Sequence, residues 1–178
     1  MKLVDICEFI RPQSFNKDNY STEKTDVGLI TSINFDNGDI ELNYDNIKYL
    51  KNISVKNNLK ENDIIISLNS GSIKTLGKIC LVTNLDKSIN YVTTSFNIIL
   101  RSKMFEYVFY YLLYSERYKE MLKYNPEKQI QNLSINSLKD FEINLSLQTE
   151  IDKIISLNKE IKLKQKELYE YTRNFKTM

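Results

Sequence analysis

The stretch Leu59-Lys60-Glu61-Asn62-Asp63-Ile64-Ile65-Ile66-Ser67-Leu68 decides how the chain is read. Its first half is a polar turn, and Asn62 is a residue that tolerates positive φ. Its second half, from Asp63 to Leu68, is rich in β-branched residues and reads as a strand. Downstream, Asn69–Leu76 carries Ser70, Gly71, Ser72 and Lys74 and reads as an exposed loop. Gly77–Val82 resumes as a strand, and Ile89–Val92 and Phe96–Leu100 continue the sheet. Upstream, Val27–Phe35 and Asp39–Leu42 flank Asp36-Asn37-Gly38, a hairpin signal because both turn residues accept positive φ. Short turns between strands favour antiparallel or mixed pairing.

Helical patterns flank this sheet. The apolar residues of Leu3–Ile10 predict a short opening helix, ended by Arg11-Pro12, and Phe15–Thr25 is polar loop. Ser102 is a candidate N-cap. After it Phe105, Val108, Phe109, Leu112, Leu113, Tyr118, Met121 and Leu122 recur at helical spacing and predict one long amphipathic helix, stopped by Asn125-Pro126. Glu127–Asn136 is a polar loop and Phe141-Glu142-Ile143 a short strand.

The C-terminal segment differs in kind. Leu147, Ile154, Ile161, Leu168 and Phe175 fall seven residues apart, with Ile151, Asn158, Gln165 and Thr172 at the paired positions. A helix from Gln148 to Lys176 would be about 43 Å long. The heptad predicts a coiled coil in which Asn158 and Gln165 favour register over stability. Two dispositions are open: pairing with a partner helix, which the length favours, or folding back on the chain's own domain. The expected division is 1–146 for the domain and 147–178 for the dimerising helix.

Composition narrows the function. The 178 residues are 42% hydrophobic and 27% charged, enough for a globular core. No apolar run approaches the ~18 residues that span a bilayer. Asp5 stands where a secretion signal needs apolar residues, so a cytoplasmic protein without a membrane partner is expected. Cys7 and Cys80 read as buried small hydrophobes rather than a disulfide or metal site. There is no histidine, which removes the commonest general base and metal ligand. No carboxylate pair sits in a catalytic motif, and no glycine-rich loop suits a nucleotide or S-adenosylmethionine. The four glycines read as turns or strand ends. Asn125-Pro126-Glu127 is a helix stop, lacking the second proline and the aromatic of adenine methyltransferases. No enzyme, metal or cofactor is expected. A formal net charge of +2 means that a DNA surface must be a local patch, or that a partner supplies positive charge.

Two loops have the composition for such a patch. Asn69, Ser70, Ser72, Lys74 and Lys78 offer an amide, hydroxyls and positive charge to phosphates and base edges, and Lys128, Gln129, Gln131 and Asn132 offer a similar set. The same composition describes any solvated loop.

The order of segments carries a resemblance. Lys2-Leu3-Val4-Asp5-Ile6-Cys7 is similar to an opening Lys-Leu-Gly-Asp-Ile, and Leu59–Ser67 to Leu-x-x-Gly-Asp-Ile-Leu-x-Ser. Gly71-Ser72 with Gly77-Lys78-Ile79, the stretch Asn132–Ile143, and Leu145-Ser146-Leu147-Gln148-Thr149-Glu150-Ile151 follow in order. Together they resemble the target recognition domain and helix of the specificity subunits of type I restriction–modification systems, over essentially the whole chain. Val4 and Asn62 stand where that family has glycine, and the prolines before the long helix are missing. The resemblance implies an α+β recognition domain with a mixed or antiparallel sheet and a long C-terminal coiled-coil helix. It implies double-stranded DNA and adenine-methyltransferase subunits as partners, the latter holding S-adenosylmethionine, and in some systems a restriction subunit. Such subunits carry two recognition domains and two helices, so this chain looks like half of one, a homodimer or paired with another half-subunit. A competing S-like subunit and a coiled-coil adaptor without DNA are the rival readings. Arg11 and Lys17 join the two loops as candidate DNA contacts.

Overall fold

The computed structural model describes residues 1–34, 42–70, 76–122 and 131–176. The chain divides into two compact units, Met1–Ile143 and Asn144–Met178. The architecture is α+β, with one antiparallel and one mixed sheet and a long C-terminal helix.

In the first unit, the β-branched run forms β5 (Ile64–Ser67). It lies between β9 (Asn97–Arg101) and β7 (Ile79–Leu81), with β1 (Glu8–Ile10) outside β9, all antiparallel. Ile64, Ile65 and Ile66 are fully buried, so both faces of β5 are covered. That explains an unbroken apolar run in place of alternation. The second sheet has the order β2 (Tyr20–Ser21), β4 (Lys48–Leu50), β3 (Val27–Ile30), β8 (Asn90–Thr93), and β3 with β8 is its parallel pair. One apolar cluster joins the sheets: Ile30 and Tyr91 from the second meet Ile65, Cys80 and Ile99 from the first. The other face of the second sheet buries Val27, Leu29, Leu50 and Val92. Gly28 pairs with Tyr91, whose ring would lie 3.0 Å from an added Cβ. This glycine therefore sits within a strand, and makes room for a ring.

A buried ion pair fixes the register of the first sheet. Arg101 donates from Nε to Asp63 Oδ1 and from Nη2 to Asp63 Oδ2, both at 2.8 Å. Asp63 Oδ2 also accepts the Lys60 amide at 2.8 Å, closing the turn in which Asn62 has φ 70°. The Asp63 side chain is 1% exposed and that of Arg101 28%.

Several expectations are corrected. The opening segment is a 3-10 turn, Leu3–Asp5, followed by strand β1, because Phe9 and Ile10 pair with Leu100 and Ile99. The strand expected over Val27–Phe35 stops at Ile30, and its antiparallel neighbour is β4. The Asp36-Asn37-Gly38 turn lies outside the described residues. Asn90–Thr93 and Asn97–Arg101 belong to different sheets. The single helix expected after Ser102 is two, α1 (Phe105–Tyr114) and α2 (Glu116–Met121). Ser115 is extended and its hydroxyl accepts the Tyr118 amide, which breaks the helix and caps its second part. Ser102 accepts the Met104 amide and donates to the Ile6 carbonyl, while Met104 holds the N-cap position. Asn125-Pro126 lies outside the described residues. The expected loop Glu127–Asn136 contains β10 (Gln131–Asn132) and the start of α3 (Ile135–Lys139). Phe141–Ile143 is extended but forms only one bridge, Glu142 with Lys2.

In the second unit, Asn144 Oδ1 accepts from the Ser146 amide and hydroxyl at 3.1 and 2.8 Å, opening a 3-10 turn over Leu145–Leu147. The helix α4 then runs over Gln148–Lys176, the expected span. An asparagine starts it where the resemblance implied prolines.

Cys7 and Cys80 are buried, and neither is in a disulfide among the described residues. Burial pushes the Cys7 thiol up to about 11, partly offset by its hydrogen bond with Ser102.

Replacing Arg101 by methionine leaves the Asp63 carboxylate buried without its cation. The expected loss is about 3 kcal/mol of unfolding free energy, read from urea denaturation of the variant against the parent chain. A loss under about 0.5 kcal/mol, the size of a typical surface change, would show that the pair does not hold the sheet.

Candidate nucleic-acid interface

The two candidate loops meet. Asn69–Ser70 forms the short strand β6, which pairs antiparallel with β10: Ser70 with Gln131, Asn69 with Asn132. The Leu133 amide donates to the Leu68 carbonyl at 2.7 Å, continuing the contact. Residues some 60 apart in sequence thus build one two-stranded ribbon. Of the residues named from sequence, Asn69, Ser70, Gln131 and Asn132 are brought together here. Ser72, Lys74, Lys128 and Gln129 lie outside the described residues.

The ribbon grows from one end of the first sheet. Ser67 pairs with Asn97 on one side, and its amide donates to the Lys78 carbonyl on the other at 3.0 Å. Half-buried Lys78 therefore stands in the row from which the ribbon emerges. The Asp63–Arg101 pair marks the opposite end of the same strands. Gly77 closes the connection, its amide donating to the Ser67 carbonyl at 2.8 Å. It has φ 66°, and an added Cβ would lie 2.2 Å from Leu122 Cδ2. Its carbonyl accepts the Tyr118 hydroxyl at 2.7 Å, so α2 pegs the base of the loop. Burial raises the Tyr118 hydroxyl far above the usual phenol range, which keeps it a donor.

Arg11 and Lys17 are held by other elements. The Arg11 carbonyl accepts Asn57 Nδ2 at 2.7 Å, and Gln13 ties the same segment to Ser54 and Lys56. Lys17 opens the 3-10 turn that leads into β2. Both residues are exposed.

Asn132, named from sequence with its loop, faces Asn69 across the ribbon. One feature of this end was not named from sequence. Phe96 is 60% exposed, and its carbonyl accepts the amides of Leu68 and Asn69 at 2.8 and 3.3 Å. Phe96 read as the first residue of a strand, and only the three-dimensional pairing of strands β5 and β9 puts it beside β6. Serine, asparagine and glutamine on the ribbon, with Lys78 at its base, are residue types that contact phosphate and base edges. Among the described residues, no group of three or more His, Cys, Asp or Glu could hold a metal ion. No helix among them is long and apolar enough to cross a membrane.

On α4, the residues named for pairing differ in exposure. Ile151 is buried, Ile154 and Asn158 are half-buried, and Leu147, Ile161, Gln165 and Leu168 are exposed. Asn158 Nδ2 donates to the Ile154 carbonyl of its own helix at 2.9 Å. The side chain of Phe175 lies outside those described. Ile155, not named from sequence, is buried, while Leu157 and Tyr171, also not named, are exposed.

No family model and no curated protein matches the sequence. Solved structures do match the fold. Over 94% of this chain, with 18% identity and a TM-score of 0.59, it is similar to a chain from a structural study of complex assembly and conformational transition of the type I R-M system. The HsdS subunit from Thermoanaerobacter tengcongensis matches over 93% of the chain (18% identity, TM-score 0.55), and the type I restriction-modification S subunit from M. genitalium over 90% (17%, TM-score 0.54). The chain spans 40%, 39% and 38% of these structures' own lengths, in that order. The fold is that of type I specificity subunits.

Changing Tyr118 to phenylalanine removes the donor and leaves the buried Gly77 carbonyl short of a partner. The variant should lose about 1–2 kcal/mol of stability, and hydrogen exchange should quicken at Gly77. Unchanged exchange there would show that the peg does not secure the loop.

Proposed function

We propose that the chain is a sequence-specific DNA recognition component of a type I-like restriction–modification complex, without catalytic chemistry of its own. The observation that carries this reading is the fold: the likeness to specificity subunits extends over both the mixed-sheet unit and the long helix. In this reading residues 1–146 read one half of a split site. The ribbon of Asn69, Ser70 and Gln131 with Lys78, and with Ser72, Lys74, Lys128, Gln129, Arg11 and Lys17, contacts DNA. Adenine-methyltransferase subunits, holding S-adenosylmethionine, act on the site, and a restriction subunit joins where cleavage occurs. The working compartment is the cytoplasm.

Two such domains require pairing through residues 147–178, with a second copy or another half-subunit. The exposed apolar residues of α4 suggest the face. Leu157, Ile161, Leu168 and Tyr171 continue from half-buried Ile154 at heptad spacing. At 3.6 residues per turn this stripe lies roughly 130° around the axis from buried Ile151 and Ile155. Lys164 is its charged member, bonded to Glu167 at 2.9 Å. In a parallel pair Lys164 would face its own copy. An antiparallel pair sets Ile154 against Tyr171, Leu157 against Leu168 and Ile161 against Lys164, with Glu160 of the other copy beside the lysine.

Oxidative cross-linking checks the pairing. A mixture of Leu157→Cys and Leu168→Cys chains should form a disulfide between them, and neither variant should do so alone. The buried native cysteines do not compete. Disulfides within each variant alone would mean a parallel pair.

The DNA reading is checked by mapping methylation with the reconstituted complex. Two identical readers on a two-fold axis should select a palindromic split site of fixed spacing. With a net charge of only +2, the chain alone should bind DNA weakly, and the complex should bind with a steep salt dependence. Partner binding without any DNA affinity, at any salt, would instead identify a competing subunit or an adaptor.

A further inference from the structure

The connection between β8 and β9 offers a side chain that neither composition nor the resemblance assigns a role. It is a tight turn: the Asn97 amide donates to the Thr94 carbonyl at 3.0 Å, which puts Ser95 and Phe96 at the tip. The turn is pinned from below. Buried Asn97 donates from Nδ2 to Thr93 Oγ1 at 2.6 Å, and Thr93 Oγ1 donates to the Ile30 carbonyl at 2.9 Å. Thr93 and Asn97 are buried polar side chains that satisfy each other, so the tip is held by both sheets. From the tip the Phe96 carbonyl accepts the amides of Leu68 and Asn69, which fixes it beside the ribbon.

A phenylalanine 60% exposed on so rigid a turn is out of keeping with the rest of the domain. Phe109 and Phe141 are buried, and Phe9, Phe15 and Phe105 are half-buried. Scattered apolar residues on a surface need no explanation. Here three further facts act together: a preset position, neighbours of the kind that contact nucleic acid, and a tip of Thr94, Ser95 and Phe96 with no carboxylate to repel phosphate. The apolar group that base edges offer such a ring in the major groove is the 5-methyl group of thymine.

We propose that Phe96 is a specificity-determining residue that packs against a thymine methyl in the half-site, with the β8–β9 turn as a third DNA-contacting element beside the ribbon. The proposal rests on the DNA-recognition reading and names one contact within it. The ring adds apolar surface that is buried only on a correct base, so it discriminates without adding charge. This suits a chain whose net charge is small.

The test uses the reconstituted complex with its methyltransferase subunits and a duplex carrying the mapped site. Phe96→Ala should weaken binding about ten-fold while thermal unfolding stays unchanged, because the side chain is exposed. Replacing each thymine of the half-site by deoxyuridine should weaken wild-type binding roughly four-fold at one position, as expected for one lost methyl. At that position the Phe96→Ala complex should be indifferent to the replacement, and Phe96→Leu should restore part of the discrimination. Equal binding by wild type and Phe96→Ala, or losses that simply multiply at every thymine, would overturn the contact. The parent reading would survive that result, since wild-type methylation of a defined site reports on it separately.

Discussion

The buried carboxylate of Asp63 is the constraint on which the first unit depends. It accepts the Lys60 amide and two donors of Arg101, and so fixes where β5 begins and where β9 ends. A strand has period two, so a slip of one residue would turn every isoleucine of β5 to the wrong face. In a run of three isoleucines buried on both sides, apolar packing alone discriminates poorly between registers. The ion pair does so, because only one alignment satisfies the charge. That alignment reaches the other end of the sheet, where Ser67 faces Asn97 and the Phe96 carbonyl meets Leu68 and Asn69. The geometry of the candidate surface is thus set by a pair at the far end of the same strands.

Turn chemistry in this chain relies on asparagine. Asn46, Asn52, Asn62 and Asn84 all have positive φ, and Gly77 is the glycine described with it. Asparagine visits the left-handed region more readily than other side-chain-bearing residues, since its amide bonds locally. Where the resemblance implied glycine, Asn62 makes the same turn. Gly77 could not be exchanged so easily, because Leu122 occupies the space a side chain would need.

Sequence made the local elements legible and hid the non-local ones. Strands β5, β7, β8 and β9 announced themselves through β-branched content, and α4 through its heptad, whose span was read to the residue. The opening segment is ambiguous in sequence because six apolar residues in eight fit either period, and pairing with β9 decides for a strand. The helix break at Ser115 left no glycine or proline to signal it. At the candidate site, loop composition pointed to Asn69, Ser70, Gln131 and Lys78 one by one. That two loops close into one ribbon depends on pairing between residues 61 and 63 apart, which no periodicity encodes. Phe96 was invisible for a related reason: an aromatic at a strand's start looks like core until the turn beneath it is seen.

The first unit is also sewn shut at its ends. Leu3 donates to the Phe141 carbonyl, the Ile143 amide donates to the Met1 carbonyl, and Lys2 pairs with Asp140 at 2.8 Å. Strand β1 likewise waits for β9, some 90 residues later. During synthesis the opening residues therefore leave the ribosome long before their partners exist. Folding of this unit is completed late, after residue 143 has emerged, and the apolar edge of β9 remains open until β1 docks. High contact order of this kind slows folding and lengthens the exposure of sticky surface. The same closure places the unit's first and last residues side by side. The order in which its strands are translated could thus be rotated around the ring without altering the sheet they build.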